Sequence, residues 1–190
     1  MKHNKVADIV KELYISSSIE FVKWMRMNHV PIVAQNAERL TKLYKGNPDY
    51  SVAGAWLHDL ADVSVERDNP KSEEISIQRA EEVLICASYT QQDIRLVIHE
   101  VLLPHSCHPG NIPNLLEGKI LSTADALAHI STDFYTQLCW LHIPSGKTYE
   151  EFRSWVKEKI ERDFRVKIFF DEVRDEVKDK YRAIKTVFIE

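Results

Sequence analysis

The chain has 190 residues, 44% hydrophobic and 28% charged, with 25 Lys+Arg against 29 Asp+Glu for a formal net charge of −4. That balance describes one globular domain with length enough for a sizeable core, and it disfavours a long nucleic-acid partner, whose backbone is usually gripped by a basic protein. No apolar run nears the ~20 residues of a membrane span, residues 1–10 lack a signal-peptide core, and Cys86, Cys107 and Cys139 are too few and scattered for a disulfide framework, so a cytoplasmic protein with no membrane partner is expected.

Helical periodicity dominates between few glycines and prolines. Residues 5–14 place Val6, Ile9, Val10 and Leu13 on one face. Ser16, Ser17 and Ser18 can cap a second helix over residues 19–27. A third begins near His29 and runs to Tyr44, stopped by Lys45-Gly46-Asn47-Pro48. Its stripe is Ile32, Val33, Ala37, Leu40 and Tyr44, with His29 on the same face. Asp49 or Ser51 can cap the central helix, whose sequence DYSVAGAWLHDLADV occupies residues 49–63.

Residues 63–70 are charged and read as a loop. Ser72-Glu73-Glu74 opens the next helix, with Ile75, Ile77, Ala80, Val83 and Leu84 inward. Thr90 to Asp93 reads as a cap and acidic first turn for a helix holding Ile94, Val97, Ile98, His99 and Val101, ended by Pro104. A polar loop with His105 and His108 follows. Residues 113–130 are helical again, with Ile120, Leu121, Ala124, Leu127 and Ala128 inward and Asp125 among them. A break at Ile143-Pro144-Ser145-Gly146 precedes two amphipathic helices, one on Phe152, Trp155, Val156 and Ile160, the other on Val173, Val177, Tyr181, Ile184 and Phe188. The Lys and Arg of these helices read as solvated faces. With no clean two-residue alternation, the fold class is all-α.

Four ionisable residues therefore lie on apolar faces: His29, His58, Asp59 and Asp125. A carboxylate taken out of water costs several kcal/mol, which only a hydrogen-bonded partner or a metal ion offsets. Within the central helix His58 and Asp62 are four apart and Asp59 and Asp62 three apart, so the three line one edge. His58 and Asp59 diverge by about 100° and share an ion only if it sits between their directions. Imidazole nitrogens with carboxylate oxygens suit Mn, Fe, Ni, Co, Zn or an oxygen-rich Mg site, and two His with two Asp leave positions open for water. Each residue also has a plainer reading: His29 as a hydrogen-bonded core histidine, Asp125 as a cap or buried acceptor, Asp62 as a helix-end carboxylate, His108 as a solvated loop histidine. His105-Ser106-Cys107-His108 could be half of a zinc corner, but no second pair at finger spacing accompanies it. No phosphate-loop, dinucleotide-binding or nucleophile-elbow motif occurs.

An isolated His, an His-Asp pair about 30 residues on, and a distant Asp in TADAL together resemble the HD superfamily of metal-dependent phosphohydrolases over residues 18–130. AGAWLHDLAD and EGKILSTADALAHI are similar to uncharacterised bacterial and archaeal HD hydrolases. The resemblance implies one all-helical domain over residues 1–190, its metal core at about 18–130 and helices 148–188 packed on it. It also implies one divalent ion on His29, His58, Asp59 and Asp125; Asp62, one turn past His58, is placed to orient or deprotonate the attacking water, so Asp62 and Asp59 are the catalytic candidates. His99, His105 and His108 fall where two-metal members carry further ligands, and His99 and His105 are the candidates for contacting substrate. Many members follow the first His with an Arg, where this chain has Val30-Pro31-Ile32-Val33. The expected activity is hydrolysis of a small phosphorylated substrate, a nucleotide or phosphomonoester, with a homodimer left open. A nucleotide-sensing module without catalysis is the alternative, and a third reading, oxidative chemistry, would need two irons and more histidines.

Overall fold

The computed structural model describes residues 1–65, 69–142, 146 and 148–189, without the side chains of Glu20, Leu141 and His142. The fold is all-α; among the described residues no strand forms, and an isolated antiparallel bridge pairs His108 with Asn111. The helices are α1 (Lys2–Ser16), α2 (Glu20–Asn28), α3 (Val30–Tyr44), α4 (Pro48–Leu57), α5 (Ser72–Cys86), α6 (Gln91–Leu96), α7 (Leu116–Ser131), α8 (Phe134–His142), α9 (Tyr149–Arg162) and α10 (Asp171–Phe188). No described helix is long and apolar enough to cross a membrane.

Helix α3 packs most extensively on α7 and α4, and these three, with α1 against α4, form the centre. Buried side chains from Val6 in α1 to Phe188 in α10 belong to one apolar cluster, so the closing helices share the core of the first seven. α4 is almost wholly buried, as its unbroken apolar run predicts. Gly54 lets it come close: a Cβ there would fall 2.9 Å from Val101 Cγ1 and 3.2 Å from Leu121 Cδ2. Gly118 does the same for α7, where a Cβ would meet the Glu100 carbonyl oxygen at 2.5 Å.

The caps explain several boundaries. Thr90 and Asp93 form the capping box that opens α6. α4 is capped by Asn47, whose side chain accepts from the Asp49 amide at 3.0 Å, and not by Asp49 or Ser51. Pro48 fills the first helical position, where its missing N–H is no loss. Asp49 turns outward from the helix and takes the His3 ring nitrogen at 2.6 Å.

Three boundaries depart from the periodic reading. The central helix ends at Leu57; His58 and Asp59 lie in a turn, and a short 3₁₀ turn follows at Leu60–Val63. α6 widens into a π-helical turn over Val97–Leu102 and tightens to a 3₁₀ turn at Leu103–Ser106. α7 begins at Leu116 rather than Pro113. In the expected loop at 63–70 and the break at 143–146, residues 66–68 and 143–145 lie outside the described residues.

Candidate metal centre and adjoining cleft

His29 is the single residue between α2 and α3, with φ −130° and ψ −69°. Its N–H donates to the Met25 carbonyl and its own carbonyl accepts from Ile32 and Val33, so the chain turns there without losing its hydrogen bonds. The imidazole is therefore directed inward, stacked between Trp24 (centroids 6.5 Å, 6° interplanar) and His129 (5.0 Å, 4°).

The end of α4 resolves the divergence of His58 and Asp59. His58 keeps helical angles, but Asp59 leaves them at φ −118° and ψ 30°, with its carbonyl held by the Tyr14 hydroxyl at 3.2 Å. Both side chains consequently face one point. His29 Nε2 lies 3.2 Å from His58 Nε2 and 3.6 Å from Asp59 Oδ2; His58 Nε2 lies 3.4 Å from Asp59 Oδ2. Asp125 Oδ1, from the middle of α7, completes the set at 3.3 Å from His29 and 3.8 Å from His58. His29, His58 and Asp125 are fully buried and Asp59 is half-buried.

These spacings fit a metal ion. Bonds of ~2.1 Å at angles of ~90–120° put ligand atoms about 3.0–3.6 Å apart; His29, His58 and Asp125 form a buried triad of that size, with the His58–Asp125 edge its longest, and Asp59 lies beside the two histidines. The donor chemistry fits as well. His58 Nδ1 is 2.8 Å from the Ala55 carbonyl, an acceptor only, so Nδ1 carries the proton and the Nε2 lone pair faces the cluster. Asp125 Oδ1 is buried there without a hydrogen-bond partner, a lone-pair donor that a cation would satisfy. Burial pushes the His29 pKa down, which keeps its imidazole neutral and able to ligate. His29 Nδ1 has no hydrogen-bond partner, and on that side the ring is held by its packing against Trp24, His129 and Phe134.

Behind the cluster lies a buried ionic network that periodicity did not reveal. Lys167 Nζ pairs with Asp125 Oδ2, leaving Oδ1 for the ion. Asp163 approaches Lys159 at 3.3 Å and Lys167 at 4.0 Å, and accepts from the Tyr135 hydroxyl at 2.9 Å. His129 bridges the halves, Nε2 at 3.2 Å from Asp125 Oδ1 and Nδ1 at 3.0 Å from Asp163 Oδ2. Burial drives His129 down to about 3, so it stays neutral. Two ammonium groups thus face two carboxylates around a neutral imidazole, the pairing that buried charge requires. The expectation that the C-terminal Lys and Arg form solvated faces is therefore wrong for Lys159 and Lys167. Lys159 lies in the last turns of α9, and Lys167 ends the π-helical turn at Asp163–Lys167 that follows it, where it is buried.

A cavity of about 570 Å³ opens from the cluster and is lined by His58, Asp59, Asp62, Ser76, His105 and Arg162 among others. Asp62 is buried on the 3₁₀ turn one step past Asp59. His105 stands on the wall with its ring edge-on to His58 at 5.7 Å. Its Nδ1 contacts the Leu102 carbonyl, so Nε2 is an acceptor, 3.3 Å from the Ser106 hydroxyl. Burial, with the Lys167 charge, lowers it to about 4. His105 is a neutral acceptor facing the cleft, not a cation for phosphate.

His99 is not brought to the cleft. The π turn directs Val97, Ile98, Val101 and Leu102 inward and leaves His99 exposed, which corrects its assignment as a substrate contact. His108 lines the outer cleft and is exposed, as a solvated loop histidine would be. Arg162 was missed, because a basic residue in the last turn of an amphipathic helix reads as surface.

No family model, curated protein or solved structure matches the chain.

Proposed function

We propose that this chain is a metal-dependent phosphohydrolase of the HD type, acting on a small phosphorylated molecule. The observation carrying this reading is the buried triad of His29, His58 and Asp125, 3.2–3.8 Å apart, with Asp59 3.4–3.6 Å from the two histidines, beside a 570 Å³ cleft. That volume is of the size that accepts one small ligand. A divalent ion held there supplies Lewis acidity toward a phosphoryl oxygen and a water.

The chain's own groups supply the rest. Asp62 faces the cleft one turn beyond the ligands, where its carboxylate takes the proton of the attacking water as the water oxygen bonds to phosphorus. The P–O bond to the leaving group breaks, its electron pair goes to the leaving oxygen, and that oxygen takes a proton from solvent. A phosphate monoester and water thereby give an alcohol and inorganic phosphate. His105 accepts a hydrogen bond from a protonated oxygen or water, since Nε2 offers only a lone pair. Its ring is neutral at pH 7 and adds no charge to the site.

A panel of nucleoside mono-, di- and triphosphates and sugar phosphates, each with Mn, Mg, Co, Ni and Zn, tests the reading. Metal-dependent release of phosphate or pyrophosphate from at least one member is expected. A silent panel with degradation of single-stranded nucleic acid would refute the substrate class. A silent panel with tight nucleotide binding would favour a sensor.

Asp62→Asn keeps the shape of the side chain and removes its basicity. We expect kcat to fall by about 10²-fold or more, the scale of a positioned acid-base group, with metal content unchanged. Unaltered kcat would make Asp62 a helix-end carboxylate.

A further inference from the structure

The cleft carries one more feature that its acidic and neutral walls leave unexplained. Among its described lining residues, the permanent charges are the carboxylates of Asp59, Asp62 and Glu73 and a single cation, Arg162. The Arg162 Nε is buried and has no hydrogen-bond partner, and among the described residues no carboxylate lies within ion-pair distance of its guanidinium. The contrast with its neighbours is sharp: Lys159, one turn earlier, reaches Asp163 at 3.3 Å, and Arg165 binds Glu161 at 2.6 Å. An ordinary surface arginine at that turn could join either acid. A buried guanidinium nitrogen without a hydrogen-bond partner costs folding free energy that no described residue offsets.

We infer that Arg162 is the anchor for the phosphoryl group of the substrate, holding two of its non-bridging oxygens across the cleft from the metal cluster. The inference rests on the phosphohydrolase reading for its substrate and on Arg162 alone for its geometry. Guanidinium presents a rigid fork of N–H donors that matches a tetrahedral oxyanion in a bidentate way, which an ammonium cannot do. The opposite wall supports the choice. α5 lines the same cavity near its N-terminus with Ser72 and Ser76, and the positive end of that helix favours an anion there. The three carboxylates repel an anion, so Arg162 is needed to fix its position as well as its charge. Among the described lining residues Arg162 is the permanent cation offered to a phosphate.

Titration calorimetry with inorganic phosphate tests this on wild type, Arg162→Gln, Arg162→Lys and His58→Ala, each with Mn and after chelation. Arg162→Gln should weaken phosphate binding about 10–100-fold, the scale of losing hydrogen bonds to a charged group, with metal stoichiometry unchanged. Arg162→Lys should recover only part of the affinity. The melting temperature of Arg162→Gln should equal or exceed that of wild type, because no internal partner is lost; a marked fall would assign Arg162 a structural role and overturn the inference. Phosphate binding unchanged in Arg162→Gln would overturn it too, as would absence of phosphate binding to wild type in both metal states. Wild type that takes up no metal would end the phosphohydrolase reading only. Phosphate binding by the chelated protein and by His58→Ala, lost on adding Arg162→Gln, would still sustain the anchor.

Discussion

His58→Ala is expected to abolish binding of a divalent ion. The side chain offers an Nε2 lone pair already aimed at the cluster, its tautomer set by the Nδ1 contact to the Ala55 carbonyl at 2.8 Å. Removing a ligand from a four-group set should weaken binding by more than the ~10–100-fold that loss of an outer-shell partner costs. After dialysis, metal analysis should find wild type near one equivalent and His58→Ala with only traces, and phosphatase activity should fall in parallel. His99→Ala is the matched control: it removes an exposed histidine outside the cleft and should keep the full complement. Full stoichiometry in His58→Ala would remove the metal centre from this account. Acidification provides an independent readout. Protons compete with the metal for the imidazoles, and burial lowers the His29 pKa from its usual 6.5. On that group, protonation sets in below the usual histidine range, so affinity should hold through pH 7 and decline only under about pH 6.

Lys167→Met destabilises the metal-free protein severely. Lys167 is buried against Asp125 and lies 4.0 Å from Asp163. Burial alone would lower its pKa, but the two carboxylates outweigh that and hold it above the usual lysine value. Removing one partner of a buried pair leaves an uncompensated charge and costs about 3–5 kcal/mol. For a chain of this size that is roughly 6–20 °C in melting temperature. Asp125→Asn in the same chain should recover most of the loss, because it removes the orphaned charge. Added Mn should raise the melting temperature of Lys167→Met by more than it raises that of wild type, since the dication then offsets the carboxylate that Lys167 had paired. A loss under about 2 °C, or an equal metal shift in the two proteins, would show that the ion pair does not govern Asp125.

The two predictions concern opposite sides of one carboxylate. Asp125 offers Oδ2 to the lysine and Oδ1 to the cluster, so it is oriented before any ion arrives. Its pKa is well below the carboxylate range: burial would raise it, but the Lys167 ammonium and the polar groups around it more than reverse that. The carboxylate therefore stays ionised at neutral pH and remains available as a ligand. The stability it contributes is present above the ordinary carboxylate pKa and is lost only as pH falls through its depressed value.

Amino-acid order by itself determined the helical class and most helix positions, because apolar spacing at three and four residues, together with caps such as Thr90 and stops such as Lys45-Gly46, acts within one turn of chain. It also singled out His29, His58, Asp59 and Asp125, since a polar side chain on an apolar face is visible without knowing its partner. Only the tertiary structure decided how they meet. The turn after Leu57 brings Asp59 beside His58, and Tyr14, 45 residues earlier, holds the Asp59 carbonyl that makes the turn. The π turns at Val97–Leu102 and Asp163–Lys167 sent His99 to solvent and Lys167 into the core, against the register of a regular helix. Lys159, Arg162, Asp163 and Lys167 read locally as a solvated charged face. Whether such charges are buried depends on a partner elsewhere in the chain, and Lys167 meets Asp125 across 42 residues of sequence. The cost of burying a charge is settled by what lies opposite it, and that is a property of packing rather than of local order.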